Sequence, residues 1–196
     1  MVEWAAWWDQ TIDRWEHEGF PKGMDLETSL HYFDLDPLLL IRAAGRGPGC
    51  PSPTYHGGPI MHDVASYEAL LPHLYNDSII DATIDHAHRL KAKHDRGEII
   101  IRLWLDGFFW FPRTLFGIEP HFYAFYDHPD LMRRVNQDLA SFNIRIVEAL
   151  FPVLTPDMVG FAEDMSYNHG PMLSREAFDT FLLPYYRQVI PHIKAY

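Results

Sequence analysis

Apolar and polar positions alternate along this chain with two different periods. Trp4, Trp8, Ile12 and Trp15 recur at helical spacing, which predicts a helix over residues 3–17 that stops at Gly19 and Pro21. The run "LLLIR" (38–42) reads as a short strand, and the Gly/Pro-dense "AAGRGPGCPSPTYHGGP" after it as a long loop. Short helical patterns follow at 64–75 and 78–95, the second closed by Gly97. "EIIIRLWLDG" (98–107) is almost continuously apolar and rich in β-branched residues, the pattern of a strand covered on both faces. The aromatic stretch 108–126 is punctuated by Pro112, Gly117 and Pro120, which predicts irregular structure. Asp127 as cap, Pro129 in the first turn and Asp130 near the dipole's positive end then open a long helix. Its apolar stripe is Leu131, Val135, Leu139, Phe142, Ile146 and Leu150. "MVGFAE" (158–163) is a second buried strand, and a last helix after Ser174 turns Phe178, Phe181, Leu182, Tyr185, Val189 and Ile193 inward.

Strand, long helix, strand, long helix implies parallel βαβ units and an α/β fold. No Gly-x-Gly-x-x-Gly follows either strand, so the dinucleotide fingerprint is missing. The other common solution is a (β/α)8 barrel of TIM type. A closed barrel takes ~250 residues, and this chain has 196. The last residues, "HIKAY", fall inside an amphipathic pattern. The expectation is therefore a partial barrel, the N-terminal part of a longer one. Residues 1–97 would form a helical and loop region with a possible first barrel strand, and residues 98–196 the βα units.

Composition narrows the function classes. Apolar residues make up 47% and aromatics 15%, enough for a real core, and the formal charge of −11 argues against a nucleic-acid footprint. A single cysteine, Cys50, excludes an intramolecular disulfide and any Cys-pair zinc motif. With no spanning apolar stretch and an acidic N-terminus, the expected setting is the cytoplasm, without membrane contact.

In parallel βα folds, ligands meet the carboxyl ends of the strands. That rule selects Asp106, then Glu163 and Asp164, then Arg42, with Arg46 in the loop beyond it. Adjacent acids should face opposite ways, so one of Glu163 and Asp164 is structural and the other lines the cavity beside His169. Alternation puts Ile100, Arg102, Trp104 and Asp106 on a mixed face that would be the barrel interior. Arg102 would there need a carboxylate, with Glu163 or Asp164 as candidates. His56 and His62 flank a Gly-Pro loop with Asp63 nearby, a grouping that could hold a metal. His86 and His88 do not share a helix face, and His73, His94 and His192 read as surface residues. The large aromatic segment is mostly core, though it would also suit a flat hydrophobic ligand as a wall.

The segments "LDGFFWFPRTLFG", "FYDHPDLMRRV" and "AEDMSYNHGPMLSREAFDTFLLPYYRQVIPHIKAY" resemble the uroporphyrinogen decarboxylase superfamily in order and spacing. The resemblance covers residues 98–196, with a fainter echo in "EGFPKGMDL". It implies a (β/α)8 barrel and a carboxy-lyase of porphyrin biosynthesis that removes acetate carboxylates from a tetrapyrrole without a cofactor. "LLLIRAAGRGPG" places Arg42 and Arg46 at the family's carboxylate-gripping arginines. Asp106, Glu163, Asp164 and His169 become the catalytic candidates, with Arg42, Arg46, Arg102 and Tyr167 as substrate contacts and a homodimer as the expected assembly. Departures exist. No Phe-Ser-Asp element occurs between 47 and 97, a family tyrosine is Ile118 here, and a strand-end hydroxyl is Asp164. They point to a divergent member. The alternatives are a methyltransferase of the same superfamily, using zinc and a corrinoid or thiol substrate, and an inactive barrel fragment that needs assembly. The family's zinc ligands would fall beyond Tyr196.

Overall fold

The computed structural model describes residues 1–3 and 7–196. Trp4, and with it the start of the first predicted helix, lies outside the described residues. The helix that is seen, α1, runs Asp9–His17, and α2 follows at Leu26–Tyr32. Between and around them Trp7, Trp15, Phe20, Tyr32 and Phe33 stack into an aromatic cluster of their own. Strand β1 (Leu38–Ala43) comes next. It is followed by α3 (Val64–Leu70), a 3-10 turn at Leu71–His73 and α4 (Asp77–Asp95). Then come β2 (Ile100–Asp106), α5 (Trp110–Phe116), α6 (Ile118–Asp127), α7 (Pro129–Leu150) and β3 (Met158–Ala162). A two-residue ladder, β4 (Ser166–Tyr167) with β5 (Gly170–Pro171), precedes α8 (Arg175–Phe181) and α9 (Leu183–Lys194).

The three longer strands form one parallel sheet in the order β1-β2-β3. Parallel neighbours require crossovers, and the helices α3–α4 and α5–α7 supply them. The α/β expectation therefore holds, with β1, from the loop-rich N-terminal half, in the same sheet as β2.

Side-chain alternation divides the sheet's two faces. Ile41 and Ala43 of β1, Ile101, Leu103 and Leu105 of β2, and Val159 and Phe161 of β3 pack in one cluster with α4 and α7 residues such as Ala87, Phe142, Ile146 and Leu150. The other face carries Leu40, Arg102 and Met158 in one row and Arg42, Trp104 and Gly160 in the next. Leu40 is 45% and Met158 41% exposed, so this second face is open among the described residues.

The aromatic segment departs from expectation. Residues 110–127 are two helices, because Pro112 and Pro120 each occupy a first turn, where a missing N–H leaves no helical bond unmade. Nor does Asp127 cap α7. It ends α6, while His128 takes the N-cap position without a side-chain cap and Pro129 supplies N1. The single last helix is divided at Leu182 into α8 and α9.

Gly117 makes the α5–α6 corner possible. Its φ is +84°, and a Cβ there would sit 2.8 Å from the Pro59 nitrogen and 2.9 Å from the Gly57 oxygen. Both neighbours are backbone, and Ile118 N–H donates to that same Gly57 oxygen at 2.9 Å. Gly117→Ala is expected to cost roughly 2–4 kcal/mol, from left-handed strain plus a backbone clash. Urea denaturation measures it. A loss below about 0.5 kcal/mol, the range of neutral surface changes, would refute the corner's role.

Candidate functional site

Asp106 ends β2, where the sheet's alternation would aim it at the open face, yet it is buried. Its Oδ2 accepts from Gly45 N–H at 2.8 Å, and its Oδ1 lies 4.0 Å from an Arg42 guanidinium nitrogen. Burial raises its pKa above the ordinary aspartate range. The Gly45 hydrogen bond and the Arg42 and Arg46 charges pull the other way without prevailing. Behind it, buried Asn143 of α7 donates to the Asp106 carbonyl at 3.1 Å.

The loop after β1 is held from two sides. Gly45 N–H goes to Asp106, and the Gly45 carbonyl accepts from Tyr75 N–H at 2.9 Å. One residue on, Arg46 bridges antiparallel to Leu74, and Gly47 N–H donates to the His73 carbonyl at 2.8 Å. Arg46 itself donates to the Pro51 carbonyl at 2.7 Å. Arg42 and Arg46 are thereby set on either side of the pinned glycine. With Asp106, Cys50, Trp110 and Thr114 they line a cavity of about 340 Å3 at the carboxyl ends of β1 and β2. Three strand-end candidates thus share one cavity.

The other candidates lie elsewhere. Glu163 follows β3 and turns its carboxylate onto the start of α5, accepting from Phe109 N–H at 3.0 Å and Trp110 N–H at 2.9 Å. Tyr186 of α9 donates a further, very short hydrogen bond. Although the residue keeps partial exposure, its carboxylate is enclosed, and burial raises its pKa against the lowering effect of these bonds. The carboxylate lies so close over Gly107 that a Cβ there would come within 2.2 Å of it. Glu163 is therefore the structural member of the acidic pair, but its partners are a helix start and a tyrosine, not Arg102.

Arg102 instead stacks its guanidinium 3.8 Å over the Trp104 ring, on the open face and across Gly160. Desolvation there lowers its pKa. Asp164 is exposed, and its carbonyl accepts a long bond from Arg113 at 3.4 Å. Tyr167, on β4, and His169, in the turn before β5, stand exposed, ring against ring at 5.7 Å. None of these four lines the Asp106 cavity.

Three residues that sequence reasoning did not single out have a distinct place in the structure. Trp110 walls the cavity, with the Arg113 guanidinium 5.0 Å above its ring. Among the aromatics from Phe108 to Phe116 it is the one outside the core, since Phe108, Phe109, Phe111 and Phe116 are buried. Tyr186 was hidden because the helical stripe favours its neighbour Tyr185. His121 is wholly buried among Phe109, Phe122 and Phe125, and neither ring nitrogen is hydrogen-bonded among the described residues. Only the count of apolar neighbours in "EPHFYAFY" hinted at that. Among the described residues no three His, Cys, Asp or Glu side chains converge as a metal site requires. No helix there is long and apolar enough to cross a membrane.

Compared with family models, curated proteins and solved structures, the chain matches none.

Proposed function

We propose that the chain is the βα part of a (β/α)8-type barrel that binds a polycarboxylate tetrapyrrole and acts on it as a carboxy-lyase. The observation that carries this reading is the convergence of Arg42, Arg46 and Asp106 in one cavity at the strand carboxyl ends. Two guanidiniums beside a buried acid suit a ligand that brings several carboxylates and a ring N–H. The open sheet face with helices on the other side supports the barrel geometry.

Decarboxylation of a pyrrole acetate needs an electron sink and a proton. A proton added to the ring makes the sink. The bond to the carboxylate then breaks, CO2 leaves and the electron pair enters the ring. A proton taken up at the methylene carbon, with release of the ring proton, leaves a methyl group. Arg42 and Arg46 hold neighbouring carboxylates, and Asp106, with its raised pKa, carries protons at the ring. Asp164 and His169 have no part, because both stand outside the cavity.

Two measurements test the reading. Arg42→Ala and Arg46→Ala should each weaken binding of uroporphyrin, the oxidised analogue, by about tenfold or more, since each removes a charge-assisted contact. Tryptophan fluorescence quenching follows the binding, and formation of coproporphyrinogen from uroporphyrinogen follows the chemistry. Unchanged porphyrin affinity in both variants, together with no turnover, would sink the proposal.

A further inference from the structure

Helix α6 presents a stripe that its own fold does not use. Glu119, Tyr123, Tyr126 and Asp127 recur at i, i+4, i+7 and i+8 and so share one face of the helix. All four are exposed, Tyr123 at 59% and Tyr126 at 78%. The opposite face carries His121, Ala124 and Phe125 into the core, so the two tyrosines are not needed for packing.

The stripe forms a ridge between two hollows. One, of about 300 Å3, has Met61, Phe116 and Ala124 as an apolar floor and Glu119, Tyr123 and Asp127 on its wall. The other, of about 200 Å3, has Tyr126 on one side and Glu176 of α8 on the other. No lysine or arginine lines either hollow, and the basic side chains in the first are His62 and His128. Arg133 and Arg175, on the neighbouring helices α7 and α8, are already paired, with Asp130 and Asp179, each at 2.8 Å. Glu119, Asp127 and Glu176 pair with no cation among the described residues.

Unpaired acids on both flanks of two exposed tyrosine rings form a surface complementary to guanidinium groups. Each ring offers a π-face, each acid a bidentate acceptor, and the apolar floor suits the methylene stem of an arginine. We propose that the α6 ridge docks an arginine-rich segment of another polypeptide, with arginines stacked on Tyr123 and Tyr126 and forked onto Glu119, Asp127 and Glu176. Lysine would meet the same acids but lose the planar stacking and the fork. The inference does not depend on the Arg42–Arg46 cavity, which lies on other elements.

Titration calorimetry of the full chain with an N-acetylated octa-arginine peptide tests it, with octa-lysine as comparison. The arginine peptide should bind several-fold more tightly than the lysine peptide, and added salt should weaken it. Tyr123→Ala with Tyr126→Ala should weaken binding by about fivefold, the worth of two exposed cation–π contacts. Glu119→Gln with Asp127→Asn should weaken it by about tenfold, as charge complementarity at an interface requires. Asp9→Asn with Asp13→Asn on α1 removes the same charge from exposed positions elsewhere and should change affinity by less than about twofold. All the substituted side chains are exposed, and thermal melts confirm that the variants fold. An α1 pair as damaging as the α6 pair would mean only general attraction to an acidic protein and would overturn the proposal. So would an unaffected tyrosine variant, or equal binding of the two peptides.

Discussion

Glu163→Ala is expected to destabilise the protein by roughly 3–5 kcal/mol, the largest effect of any single side chain outside the apolar core. The substitution strands three donors at once: Phe109 N–H, Trp110 N–H and the Tyr186 hydroxyl. Each buried donor without a partner costs about 1–3 kcal/mol. Glu163→Gln keeps an acceptor oxygen but brings an amide NH2 into the same ring of donors, so a smaller loss of about 1–2 kcal/mol is expected. Tyr186→Phe removes one donor cleanly and should cost less than Glu163→Ala. In the Glu163→Ala background it should cost almost nothing, because its partner has already gone. Equilibrium urea unfolding of the four proteins gives the cycle. A Glu163→Ala loss under about 1 kcal/mol, or full additivity with Tyr186→Phe, would show that the carboxylate is not the shared acceptor.

His121→Phe is expected to protect the protein against acid. Among the described residues the imidazole has no hydrogen-bond partner; it lies among three phenylalanines, and burial holds its pKa down at about 3, against an ordinary 6.5. The Arg113 charge pushes in the same direction. The sign follows from proton counts. Between pH 6.5 and 3 the unfolded chain carries a proton on this histidine and the folded chain does not. Stability therefore falls as the pH is lowered through that window, by at most about 1.4 kcal/mol per unit, and the loss accumulates to roughly 4–5 kcal/mol near pH 3. Asp106 and Glu163, whose pKa values are raised, contribute with the opposite sign through their own titration range, since the folded chain holds those protons more tightly. Both are present in either protein, so the difference between wild type and His121→Phe isolates the histidine. That difference should be small at pH 7 and grow steadily below pH 6.5. Parallel stability–pH curves for the two proteins would disprove the assignment.

Much of the fold could be read where one period dominates. β2 and β3 are apolar runs too short for helices, and α4 and α7 carry helical periodicity for many turns. The strand-end rule then placed Asp106, Arg42 and Arg46 near one another, and the structure has them in one cavity. What failed was whatever depended on a partner distant in sequence. Glu163 and Arg102 were paired by charge alone. A row of backbone N–H groups at a helix start competes for the carboxylate as well as any guanidinium does, and a neighbouring indole satisfied the arginine. Pro112 and Pro120 suggested interruption because a proline's effect depends on its distance from the helix start, which is known only once the start is. His169 was placed in the pocket by adjacency to a strand end and Tyr167 by the resemblance, but the β4–β5 hairpin carries both out into solvent.

The order β1-β2-β3 also bears on how the chain reaches its native state. The central strand meets each neighbour only across a connection of more than fifty residues, and among the described residues no hairpin offers a nearby pairing for it. Loop closure must be met twice before the sheet returns any stabilisation, which places this topology among the slower folders of its size. During synthesis β1 emerges long before its partner and waits with its backbone edge unmet. The aromatic cluster around α1 and α2 and the early helix α4 can organise in that interval, leaving β2 as the element whose arrival commits the rest.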